Sequence, residues 1–70
     1  MILLHFSINE KPVIVDEKSI LFIEECEGID KDDKPITFTR VYLKQPIPGE
    51  NTIAWIDVKE GVEKIYKTLK

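Results

Sequence analysis

A single cysteine, Cys26, and a single histidine, His5, are the scarcest chemical resources of this chain. One cysteine excludes an internal disulfide, and together with one histidine it cannot complete the four-ligand set of a structural zinc site. Three glycines are too few and too scattered to cradle a phosphate. An excess of positive charge is missing too: ten Lys and Arg stand against thirteen Asp and Glu, a formal net charge of -3. The cations are spread from Lys11 to Lys70. The basic face on which nucleic-acid affinity depends therefore has no footprint. No apolar run exceeds four residues, far short of the ~20 that a membrane-spanning helix needs. The apolar start Met1–Leu4 has no basic segment before it and meets His5 and Ser7 at once. It lacks the parts of a secretory leader, and the chain reads as cytoplasmic with its thiol reduced.

What is present is a core-forming composition, 43% hydrophobic and 33% charged over 70 residues. That length holds one small domain, 1–70, near the lower limit of domain size. Such a chain buries only ~60% of its unfolded surface, and small domains gain support from disulfides, metals or oligomerisation. With the first two excluded, self-association as a homodimer is the expected support.

Ile2, Leu4, Phe6 and Ile8 alternate with Leu3, His5 and Ser7, the period of a half-buried strand. Asn9–Pro12 is a polar turn and Val13–Val15 a returning strand, which makes a hairpin. The run Ile20–Ile23 predicts a third strand that is central or covered on both faces. It runs on through Glu24, Glu25, Cys26 and Glu27 to Gly28 and an acidic loop ending at Pro35. In the fourth strand Ile36 and Phe38 share one face, while Val41 and Leu43 share the other. Either a β-bulge near Thr39 and Arg40 restores one apolar face, or both faces are partly covered. The stretch 45–51 carries two prolines and Pro48-Gly49, so it is a loop, and the fifth strand spans about 52–58. Val62, Ile65, Tyr66 and Leu69 then fall on one stripe of a helix. Its outer side carries Glu60–Lys64 and Glu63–Lys67 in the favourable orientation. The helix starts at Val62 with Gly61 as N-cap, or one turn earlier with Asp57 as cap.

No catalytic constellation emerges from these pieces. Asp30-x-Asp32 begins like a calcium loop, but Lys34 and Pro35 stand where a further oxygen ligand and a glycine belong. His5 reads as a strand residue on the less apolar face, and Cys26 as a small half-buried filler. Glu24 and Glu25 are neighbours on a strand, so they point to opposite faces and cannot work as an acid–base pair. The reading is non-enzymatic, with no cofactor and no metal. What remains is apolar surface. Leu3, Leu21, Ile23, Val41, Leu43, Ala54 and Ile56 form a second apolar face too large for one short helix to cover, so the sheet curls or a second subunit covers it. Trp55 and Tyr42 offer large apolar area with one polar handle, and Leu43 and the proline-flanked Ile47 join them as interface candidates.

Ile20-x-x-Ile23-Glu24-Glu25, then Ile36-Thr37-Phe38, then Val58-Lys59-Glu60-Gly61-Val62-Glu63-Lys64-Ile65 resembles the FlbD family of small flagellar-operon proteins. This chain differs in lacking an Asn-Gly hairpin turn, in Gly61 where the family has serine, and in a longer loop at 45–51. The resemblance implies a small bacterial or phage protein that is not an enzyme. The run Ile14-Val15-Asp16 followed by Ile20–Glu24, with Gly61-Val62 at the helix start, is also similar to the first part of LytTR-type DNA-binding domains. That second resemblance implies a nucleic-acid-binding accessory module, against which the acidic balance stands. The expected fold is α+β, a five-stranded, mostly antiparallel curved sheet forming a partial barrel with one C-terminal helix. The expected role is a self-associating interaction protein, with neither nucleic acid nor membrane as its partner.

Overall fold

The computed structural model describes residues 1–46 and 54–69. Its elements follow the order β1 (Ile2–His5), β2 (Pro12–Val15), a 3-10 turn (Glu17–Ser19), β3 (Ile20–Ile29), β4 (Pro35–Leu43), β5 (Trp55–Val58) and α1 (Val62–Leu69). Residues 52 and 53 of the expected fifth strand, and Ile47, lie outside the described residues. The class is α+β with antiparallel pairing throughout.

The single five-stranded sheet is replaced by two sheets, β1–β2 and β3–β4–β5. They meet at one isolated bridge, Phe6 to Val58, flanked by Lys59 N–H to His5 O (2.9 Å) and Ser7 N–H to Asp57 O (3.0 Å). β1 ends one residue before that bridge, and the chain turns there: Glu10 N–H donates to Phe6 O, with Glu10 at φ 58°. Among the described residues strand sharing therefore stops after one pair, and no barrel closes.

Two further expectations change with the pairing. β3 lies at the edge of its sheet rather than at its centre, because β4 takes the middle place. The irregularity in the β3–β4 register falls across Leu21, between the pairs Ile20–Leu43 and Phe22–Tyr42, and none falls at Thr39–Arg40. A bulge there lets Ile20 and Ile23 both face the core, and it leaves Leu21 61% and Phe22 50% exposed. Four consecutive apolar residues are thus accommodated without a second covering layer.

The core is Ile2, Leu4 and Val15 from the hairpin, Val41, Ile56 and Val58 from the larger sheet, and Ile65 from α1. Ile20, Ile23, Leu43 and Leu69 pack against it. Val41, Leu43, Ile23 and Ile56, read from sequence as a surplus face, are hence the face that the helix and hairpin cover. The helix begins at Val62, and Ile65 N–H donates to Gly61 O at 3.1 Å. The acidic loop is a tight turn: Asp30 Oδ1 accepts from Asp32 N–H and Lys34 N–H, both at 2.9 Å, and Asp33 adopts φ 59°. Asp30 thereby satisfies backbone donors, the usual work of an aspartate in a turn.

Candidate interaction surface

Period-two geometry sorts the larger sheet into two faces, and the register aligns the outer one in rows. Phe22, Tyr42 and Trp55 form an aromatic row across β3, β4 and β5. Glu24, Arg40 and Asp57 form a charged row beside it, and Cys26 and Phe38 the next. Phe22 and Tyr42 stack with centroids 4.2 Å apart. The Arg40 guanidinium sits 5.4 Å from the Trp55 ring centroid and 5.8 Å from that of Phe38. It donates to both carboxylate oxygens of Asp57, Nε to Oδ1 at 2.8 Å and Nη2 to Oδ2 at 3.2 Å. Such a fork is geometrically specific and holds the planar cation between the two rings. Asp57 raises the Arg40 pKa further, chiefly through these bonds.

Tyr42 Oη donates to Glu24 Oε1 at 2.7 Å, and that bond pushes the phenol pKa up. The Cys26 thiol is pushed up as well, by partial desolvation and then by the Glu24 charge. It is thus an unactivated thiol. Gly28 closes the face: a Cβ there would lie 3.1 Å from Phe38 Cε1, so the bare backbone gives the Phe38 ring its place.

Of the residues singled out by sequence, the structure makes Tyr42 and Trp55 direct cross-strand partners on this face. Leu43 is on the opposite face, against the core. Sequence reasoning missed Phe22, Phe38 and Arg40. The signal existed in Phe38-x-Arg40-x-Tyr42, whose period of two places all three on one side of β4.

His5 is drawn away from Cys26 into a separate cluster. Its Nδ1 lies 2.6 Å from Glu60 Oε2 and its backbone N–H donates to Glu60 Oε1 at 2.9 Å. Thr39 Oγ1 donates to Glu60 O at 2.6 Å. Glu60 is 8% exposed. Burial alone would raise its pKa, but the bonds from the His5 ring and backbone prevail and hold it below the ordinary carboxylate value. This clasp joins β1, β4 and the start of α1, with both Glu60 oxygens occupied, so it is a tie between elements.

Among the described residues no group of three or more His, Cys, Asp or Glu is placed to hold a metal ion, and no helix is long and apolar enough to cross a membrane. No family model, no curated protein and no solved structure matches this chain.

Proposed function

We propose that this chain is a non-enzymatic interaction protein that self-associates as a homodimer through the outer face of the β3–β4–β5 sheet. One observation carries the reading: Phe22, Tyr42 and Trp55 form a cross-strand aromatic row left open beside the Arg40–Asp57 pair. Aromatic residues and arginine are the types enriched where protein interfaces concentrate their binding energy. These are already ordered by stacking and hydrogen bonds, so little freedom is lost on docking. The FlbD-like resemblance points the same way, toward a small protein that is not an enzyme.

Size sets the strength. Three strands ~4.8 Å apart and three rows deep present on the order of 300 Å². A standard interface takes about 800 Å² from each partner. The dimer is therefore weak and concentration-dependent. Sedimentation across the micromolar range should show a mass above 8.1 kDa that declines toward it on dilution. The double variant Phe22→Ser, Trp55→Ser should abolish the rise and still melt cooperatively. A mass of 8.1 kDa at every concentration overturns the proposal.

A second reading, binding of single-stranded nucleic acid, has the same aromatic row in its favour, since bases stack on such platforms. It is also what the LytTR-like resemblance implies. Glu24 and Asp57 on either side of Arg40, with the net charge of -3, oppose it. A low-salt gel shift with single- and double-stranded oligonucleotides decides: retardation that weakens with salt favours nucleic acid over the dimer.

A further inference from the structure

Among the described residues the two sheets share only the Phe6–Val58 bridge, and beside it lies an open-sided cleft of about 590 Å³. That volume is within the ~300–1,000 Å³ usual for small-molecule sites. Its walls are apolar: Phe6, Val13 and Val15 on the hairpin side, Leu43 and Ile56 on the side of the larger sheet. Its rim is cationic. Lys44 N–H donates to Ser19 O at 2.9 Å, which ties the end of β4 to the 3-10 turn and brings Lys44 and Lys18 to the same mouth. Neither ammonium group has an ion-pair or hydrogen-bond partner among the described residues. The turn that carries Lys18 is fixed, because Asp16 Oδ1 accepts from Lys18 N–H at 3.0 Å and Asp16 O accepts from Ser19 N–H at 2.8 Å. Nearby Glu17 is paired with the terminal amino group at 2.8 Å.

We propose that this cleft binds the anion of a medium-chain fatty acid, with the chain between the sheets and the carboxylate at Lys18 and Lys44. Charge complementarity favours a monoanion: among the described residues that line the cleft, two lysines and the carboxylate of Asp16 leave one net positive charge. An apolar wall with a small number of placed polar groups is the usual constitution of such a site. The cleft faces away from the aromatic row and stands independently of dimerisation.

The test is titration calorimetry of the full chain with decanoate, decanol and decyltrimethylammonium, all below their aggregation limits, with amide chemical shifts recorded in parallel. Decanoate should bind saturably at one site and shift the amides of Val13, Leu43 and Lys44, while the cationic amphiphile gives no saturation. The double variant Lys18→Glu, Lys44→Glu should weaken decanoate by at least about tenfold, as loss of charge-assisted bonds requires. Both lysines are exposed, so an unchanged melting temperature shows that this variant is folded. No saturable binding of decanoate overturns the proposal. So does equal binding of the cationic amphiphile, an unaltered affinity in the folded double variant, or shifts centred on Phe22, Tyr42 and Trp55.

Discussion

On the inner side of the three-stranded sheet Val41 and Val58 are wholly covered, while on the outer side Phe22 and Trp55 remain 50% and 38% exposed. The same strands make both sides. Their difference is chemical: the inner residues are aliphatic with no polar atom to satisfy, apart from Thr39, whose hydroxyl donates to Glu60 O. The outer residues are large rings, two of them with a polar handle that water can serve. The inner face thus holds the fold together, and the outer face is free to be recognised. Substitutions should separate these roles.

The largest effect belongs to the helix side chain that seals the inner face. Ile65 is fully buried against the hairpin and sheet, so Ile65→Ala should cost about 2–5 kcal/mol, a cavity-forming loss. Against a total stability of ~5–15 kcal/mol, that removes a large share of what holds so small a domain together. Leu69, one turn on, is only partly buried and its alanine variant should lose less. Urea unfolding measures both. Equal losses at the two positions would mean that the helix does not seal the sheet through Ile65.

The clasp between the layers ranks next. Glu60→Gln replaces a carboxylate that accepts from the His5 ring and backbone, and should cost about 1–3 kcal/mol near neutral pH. Its pH dependence has a defined sign. The folded pKa of Glu60 lies below its ordinary 4.5, so the ionised form is the one the fold favours. The stability this confers is fully present above pH 4.5 and is lost as pH falls through the lower folded value. Exposed Glu10 and Glu17 are lowered too, by Lys59 and by the terminal amino group, and they share in the acid slope. Thermal melts from pH 7 downward should show wild type and Glu60→Gln converging in acid. Parallel curves would place the clasp outside the acid response.

Local order was legible in the residues themselves. Ile2-x-Leu4-x-Phe6 marks β1, and Val62, Ile65 and Leu69 mark the helix with Gly61 before it. What was not legible depends on distant partners. His5 and Glu60 are 55 residues apart, and neither position signals the other. The bulge at Leu21 exists because Ile20 must pair with Leu43 and Ile23 with Val41, a register that no short window specifies. Likewise Phe38, Arg40 and Tyr42 read as one face of a strand, but which face is covered depends on where the helix and hairpin dock. Val41 and Leu43 of β4, expected as part of a surplus apolar face, are not surplus, because they belong to or pack against the core. The fold covered the aliphatic side and left the aromatic side open, because the aliphatic side, Thr39 apart, lacks groups that water can satisfy.

The smallest effect sharpens the outer face itself. Tyr42→Phe removes the hydroxyl that donates to Glu24 at 2.7 Å and keeps the ring stacked 4.2 Å from Phe22. That hydrogen bond is exposed, so the melting temperature should not move measurably. If apolar ring area drives self-association, the phenylalanine variant keeps its dimer, and Tyr42→Ala, which removes the ring from the middle of the row, loses it. Sedimentation of the two variants side by side distinguishes ring from hydroxyl. Loss of the dimer in Tyr42→Phe would transfer the contact to the Glu24–Tyr42 bond. The outer face would then recognise its partner through its polar row, with the aromatic row as support beneath it.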